Sequence, residues 1–203
     1  MMAGDYYGLA PLIDLGNLVS ELEGFAGDWK PYNPTKGDFK RQGLSLTSLD
    51  GGLSGVPDLT SLREHNLQNG TLYNELSFRT PTPVFDACPS LHSLLMPLRE
   101  SLGRCHFLKF GTGGFFPFHR DSVGFQTDTV FRIFVPLYRH SPRDFVFLYG
   151  DQRIHLEPGR PYFINTVKEH AVFSFDEQSV HLVLNVHLNE QSVNAVLKML
   201  HSF

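Results

Sequence analysis

The sequence predicts a mainly β, α+β chain: a double-sheet jelly roll flanked by helices at its N- and C-terminal ends. The first observation behind this is a series of eight short apolar runs, at Arg104 to Phe110, Phe115 to His119, Val130 to Tyr138, Phe145 to Tyr149, Gln152 to Leu156, Pro161 to Asn165, Ala171 to Phe175 and His181 to Leu188. They are separated by Gly, Pro and Asp turns, which makes two packed sheets the economical architecture. The second is the strict alternation of the last run, with His181, Val183, Asn185 and His187 on one face and Leu182, Leu184, Val186 and Leu188 on the other. One face belongs in a core, while the other is too polar to be buried without partners and suits a wet cavity. The third is leucine at helical spacing before and after this block. One domain over residues 1–203 follows: a helical and loop-rich region at 1–103, the β core at 104–188 and a terminal helix at 189–203.

Taken in order, Leu15, Leu18, Leu22 and Phe25 recur behind Asp14, a good N-cap, which predicts a first helix near residues 14 to 25 ended by Gly24 and Gly27. Residues 28 to 55 are punctuated by Pro, Gly, Asn and Asp around one strand-like island, Gln42 to Leu49. That stretch reads as a solvated crossing over the sheet or as a substrate loop. A short helix is expected after Asp58, then an edge strand over Thr71 to Arg79. Leu91, Leu94, Leu95, Leu98 and Leu102 form a helical stripe that should cover the sheet, with a kink or early stop at Pro97. Asn189 should cap the last helix, whose stripe is Val193, Val196, Leu197 and Leu200.

With 41% hydrophobic and 19% charged residues the composition is that of an ordinary globular chain, long enough for one substantial core. A net charge of −4 gives no polycationic footprint, so neither nucleic acid nor an acidic membrane surface is an expected partner. No apolar run approaches a membrane span, and the opening residues lack the pattern of a secretory leader. Cys88 and Cys105 offer no disulfide framework, which suits a reducing cytoplasm, and both read as small buried hydrophobes. The 18 phenylalanines read as filling for a small barrel.

Chemistry concentrates in His119-Arg120-Asp121. In a chain with 10 histidines roughly 0.6 His-x-Asp pairs arise by chance, so the pattern needs context. Context comes from the strand before it, broken by Gly111, Gly113 and Gly114 and resumed as Phe115-Phe116-Pro117-Phe118, which should carry His119 and Asp121 out on one face if it continues through them. His170 follows 49 residues later, far enough for several strands to bring it back. Two histidines and one carboxylate on one face of an octahedral ion leave three positions open, the facial arrangement of oxygen-activating non-haem iron. His155-Leu156-Glu157 is a competing pair, but it runs into Pro158-Gly159 and lies too near His170 for the same return. His106, His140, His187 and His201 have no evident partner, and His92 is expected on an exposed helix face.

The block from Phe110 to Leu188 resembles the catalytic core of the aspartyl/asparaginyl β-hydroxylase superfamily of Fe(II)/2-oxoglutarate oxygenases, which includes free-proline cis-hydroxylases. The resemblance is carried by Pro117-Phe118-His119-Arg120-Asp121, Phe131-Arg132-Ile133-Phe134-Val135-Pro136-Leu137, the run Glu157 to Asn165, His170, and His181-Leu182-Val183-Leu184-Asn185-Val186. It implies a double-stranded β-helix, the cupin-like jelly roll, with His119, Asp121 and His170 as ligands of Fe(II). It also implies 2-oxoglutarate and O2 as cosubstrates, succinate and CO2 as co-products, and hydroxylation of an unactivated C–H of an amino-acid side chain, free or in a peptide. Two positions depart from the family pattern. An arginine about ten residues after the distal histidine often grips the far carboxylate of 2-oxoglutarate, and here Ser179 and Val180 stand there; the histidine of the family's Arg-x-His is Phe134, while Arg132 is kept. A dicarboxylate in a partly dry pocket needs a cation. Arg132 is the expected partner, supported by His181 or Lys109, and is equally suited to a substrate carboxylate. A cupin-like metalloenzyme that does not use 2-oxoglutarate and a non-catalytic jelly-roll binding module are the readings from other classes.

Overall fold

The computed structural model of the chain describes residues 6–37, 39–121, 129–138, 141 and 143–200; His140 and His201 lie outside them. Strand β1 spans Tyr6–Gly8 and helix α1 Leu15–Glu23, followed by β2 (Lys30–Pro31), β3 (Arg41–Ser45) and β4 (Thr47–Ser48). Helix α2 covers Leu62–Asn69, β5 Thr80–Pro81, α3 Pro83–Ala87 and α4 His92–Leu95. The β core comprises β6 (His106–Phe110), β7 (Phe115–His119), β8 (Val130–Tyr138), β9 (Phe145–Tyr149), β10 (Gln152–Ile154), β11 (Tyr162–Ile164), β12 (His170–Ser174) and β13 (Ser179–His187), and α5 (Glu190–Leu200) closes the chain. All eight expected core strands form, with ends shifted by no more than two residues.

Two antiparallel sheets stack face to face as a double-stranded β-helix. The larger has the order β1-β11-β8-β13-β6-β3-β2 and the smaller β10-β9-β12-β7. The larger sheet does not begin at residue 104. The strand-like island expected at Gln42 to Leu49 forms as β3 and β4, and β3 pairs along the whole of β6 from Arg41 opposite Phe110 to Ser45 opposite His106. The described residues of 28–55 are therefore more than a solvated crossing: Tyr32, Asn33, Thr35, Phe39 and Arg41 line the central cavity.

Local chemistry explains the helices and the two departures before residue 104. Asp14 accepts from the Asn17 amide at 3.1 Å, and Asn189 and Ser192 exchange amide-to-side-chain bonds at 2.9 and 3.1 Å, so both flanking helices are capped. The expected strand over Thr71 to Arg79 is instead a 3-10 turn at Glu75–Ser77. The Asn74 side chain accepts from the Leu76 amide at 2.8 Å and the Asn74 backbone amide donates to Ser77 Oγ at 3.0 Å, local bonds that compete with sheet pairing. The leucine helix is broken into 3-10, α and 3-10 segments around Pro97, which has no amide proton to give. Its stripe nonetheless points inward, with Leu91, Leu94, Leu95, Leu98 and Leu102 all buried. His92 beside it is half-buried, with its Nε2 sealed from solvent.

The alternation of β13 sorts the interior into two bodies. Val180, Leu182, Leu184 and Val186 join Phe107, Ile133, Val135 and Leu137 in an aliphatic core against the helices. On the opposite face of the same sheet, Leu108, Phe110, Phe134 and Val183 meet Phe145, Phe147, Tyr149 and Val172 of the smaller sheet in an aromatic cluster. Each leucine buried in the first body stabilises the fold by roughly 1.5–3 kcal/mol. Cys88 and Cys105 are buried in it, and loss of solvent pushes both thiols up to about 12. No helix among the described residues is long and apolar enough to cross a membrane.

Candidate metal centre

His119 and His170 are directly opposite one another across the β7–β12 pair, so their imidazoles leave on one face with ring centroids 4.3 Å apart. The glycine turn before β7 sets that register. Gly113 has φ +76°, and a Cβ on Gly114 would stand 2.9 Å from the Gly111 carbonyl oxygen and 3.0 Å from that of Lys40, so side chains are excluded there. The strand stops at His119 and does not run through Asp121 as the spacing suggests. Asp121 is held instead by its amide, which donates to the Thr166 carbonyl at 3.1 Å just before His170. Its carboxylate comes to 3.3 Å from His119 Nε2 and 3.7 Å from His170 Nε2. One ligand atom from each of the three lies within 4.8 Å of the others, and this is the one such group among the described residues.

The donor set fits a divalent ion in more than spacing. His119 Nδ1 bonds the Pro117 carbonyl at 2.7 Å and His170 Nδ1 that of Lys168 at 3.0 Å. Each Nδ1 thereby carries a proton, and each Nε2 is left facing the shared centre, the outer support that metal-binding histidines use. Burial alone would push the Asp121 carboxyl up; the Arg132 guanidinium, the His119 hydrogen bond and nearby His170 outweigh it and hold the group well below the usual carboxylate range. Desolvation lowers His170, whereas at His119 it is overcome by the Asp121 hydrogen bond and charge. Carboxylate and neutral imidazole are the states that ligate, so an ion entering here would displace the proton that Asp121 favours on His119.

Arg132 is engaged from two sides. Its Nη1 bonds Asp121 Oδ2, and its Nε donates to Asn185 Oδ1 at 2.7 Å. Asn185 Nδ2 donates in turn to the Arg104 carbonyl at 2.6 Å and to Glu75 Oε2 at 3.1 Å, while Glu75 takes Arg104 in a two-pronged pair at 2.8 and 2.8 Å. Neighbours on both sides thus fix the Asn185 amide orientation. This chain of contacts orients the Asp121 carboxylate, and Arg132, expected from the sequence to take a carboxylate of 2-oxoglutarate or of a substrate, is engaged here with Asp121 and Asn185 while still lining the cavity.

The cavity in front of the triad has a volume of about 640 Å³, and its wall includes Arg132 and His181 but not Lys109. Side-chain parity explains the correction: His106, Leu108 and Phe110 of β6 point inward, while Phe107 and Lys109 point away. The Lys109 ammonium sits 4.4 Å over the Trp29 ring on the opposite side of the sheet. His181 is walled by Phe134, Phe110 and Phe145, with ring centroids at 4.6, 5.1 and 5.7 Å. His155 and Glu157 do not join any group of converging ligands among the described residues. Sequence reading missed Arg41, His106, Glu75 and Arg104. Only the alternation of β13 pointed toward them, because it put Asn185 on the cavity side.

No family model matches the chain, and no curated protein matches it in sequence. Among solved structures it is similar to a Pseudomonas putida prolyl-4-hydroxylase, with TM-score 0.50 and 14% identity over 92% of this chain and 94% of that one. It is likewise similar to the viral collagen prolyl hydroxylase of Paramecium Bursaria Chlorella virus-1, at TM-score 0.50 and 8% identity over 93% and 98%. A 2OG-Fe(II) oxygenase family oxidoreductase from Burkholderia pseudomallei gives TM-score 0.50 and 12% identity over 83% and 78%. At these identities the likeness establishes the double-stranded β-helix fold alone.

Proposed function

We propose that the chain is an Fe(II)/2-oxoglutarate-dependent dioxygenase of the aspartyl/asparaginyl β-hydroxylase kind, hydroxylating an unactivated C–H of an amino-acid side chain, free or peptidyl. The observation that carries the reading is the convergence of His119, Asp121 and His170 within 4.8 Å at the mouth of an aromatic-lined chamber between two sheets. That two of the similar structures are named as prolyl hydroxylases accords with an amino-acid side chain as acceptor. Ferrous iron with 2-oxoglutarate and O2, when bound, supplies the oxidising power for C–H hydroxylation and yields succinate and CO2.

The residues of this chain hold, orient and dry the site. His119, Asp121 and His170 would hold the ion, and the cavity in front of them is where 2-oxoglutarate and O2 would reach it. Arg132 and Asn185 keep the Asp121 carboxylate turned to the shared centre, and the two backbone carbonyls keep both imidazoles in one tautomer. Phe116, Phe134, Phe147, Val172 and Val183 line the same cavity and exclude water from the place where a C–H must be attacked in preference to solvent.

Succinate release, screened over free amino acids and short peptides with Fe(II) and 2-oxoglutarate, tests the reading. Stimulation by one acceptor, with a product heavier by one oxygen, is expected. Metal binding without succinate from any acceptor would contradict it and favour the cupin-like metalloenzyme without 2-oxoglutarate, to which the apolar surroundings of His181 give some support. Failure to bind metal at all would leave the binding module.

A further inference from the structure

Four arginines line the cavity: Arg41, Arg63, Arg104 and Arg132. Arg63 is exposed to solvent, Arg104 is neutralised by Glu75, and Arg132 by Asp121. Arg41 differs from all three. It is 7% exposed, its Nε is sealed from solvent with no hydrogen-bond partner, and no acid pairs with it among the described residues. What surrounds it is aromatic: its Cζ stands 3.9 Å from the Phe116 ring centroid, 4.8 Å from Phe39 and 5.7 Å from Tyr32. Such faces attract a cation but accept none of the in-plane N–H bonds of a guanidinium. An uncompensated buried charge is costly, and burial opposes the charge on Arg41. Two more buried polar atoms without partners, His106 Nδ1 and Asn33 Oδ1, belong to the same wall, and the His106 ring lies 5.2 Å from Tyr32. The Phe116 ring is 5.7 Å from that of His119, so the Arg41 Cζ is no more than about 9.6 Å from the His119 ring, within the reach of a short acid.

We propose that Arg41 is the carboxylate-binding residue of this cavity, taking one end of a small organic acid whose other end reaches His119, Asp121 and His170. Planar, two-pronged N–H donation to a carboxylate supplies what the aromatic cage lacks. The acid is either the dicarboxylate cosubstrate or a substrate carrying a free carboxylate. Only that choice rests on the oxygenase reading; the site itself follows from the unpartnered charge.

The test is calorimetric titration of the full chain supplied with Mn(II) under nitrogen, with glutarate and each of the twenty free amino acids as probes, for wild type, Arg41→Gln and Arg41→Lys. No turnover enters, so failure here is distinct from failure of the succinate assay. A roughly ten-fold or greater loss of affinity in Arg41→Gln, the size of a charged hydrogen-bond pair, with partial recovery in Arg41→Lys, is expected for at least one probe. Loss confined to glutarate assigns the site to the cosubstrate, and loss confined to an amino acid assigns it to the substrate. Binding of every probe to Arg41→Gln within two-fold of wild type, or of none to wild type, overturns the proposal. Melting of Arg41→Met separates the alternative in which the guanidinium is an aromatic staple: the proposal expects a melting temperature unchanged or higher by about 2–4 °C, and the staple a lower one.

Discussion

The two faces of β13 have opposite jobs. Toward the helices it presents Val180, Leu182, Leu184 and Val186 to a body of aliphatic side chains that needs no polar partner. Toward the smaller sheet it presents Ser179, His181, Val183 and Asn185, and there the neighbours are phenylalanines, histidines and arginines around a cavity. One strand, alternating every residue, therefore separates a body that stabilises the fold from one that holds charge at some cost to stability. The difference teaches where to look for function in this chain: on the side where the packing is incomplete and the polar atoms are unsatisfied.

The sharpest way to break that division is Leu184→Ala. It should cost about 2–5 kcal/mol in denaturant unfolding, the usual range for a buried leucine, while the cold protein keeps full affinity for a divalent ion at the triad. Metal affinity falling together with stability would mean the two bodies are one. Next in size is Asn185→Leu, which removes the link between Arg132, Glu75 and Arg104 without opening a large cavity. We expect roughly 10–100-fold weaker metal binding by equilibrium dialysis, the usual effect of losing an outer support of a ligand. Smallest is Asp58→Asn at the buried Ser45 contact. Desolvation raises the Asp58 pKa, against the Ser45 hydrogen bond that lowers it. With the folded value above the unfolded one, the group favours folding while protonated and loses that contribution as pH rises through the folded value. The variant should be at least as stable as wild type at neutral pH and show a flatter stability profile from acid to neutral; a steeper profile would contradict the assignment.

Much of this was legible in the residues because its signals are local. Short apolar runs between Gly, Pro and Asp turns mark all eight core strands, strict alternation marks the last of them, and a glycine turn followed by His-x-Asp marks the first two members of the triad. His170 required only that the chain return, which so many strands make easy. Arg41 was illegible because its meaning comes from pairing with β6, more than sixty residues away, and from the aromatic rings that the pairing brings over it. Lys109 was misplaced because the neighbours His106, Phe107, Leu108 and Phe110 do not divide into a polar and an apolar face, so the inward parity of β6 could not be read from them. The Asp121 contact that occupies Arg132 was equally hidden, since it joins the end of one sheet to the middle of the other. Asn74 likewise turned an apparently alternating run into a turn through its own side chain.

Stoichiometric binding of Mn(II), read by electron paramagnetic resonance under nitrogen in wild type and in Asp121→Ala, tests the central claim most directly. Convergence of His119, Asp121 and His170 on one ion predicts one tightly held Mn(II) per chain in wild type and none in the variant, with both proteins folded. Wild type that binds no Mn(II), or Asp121→Ala that still holds one per chain, would contradict it.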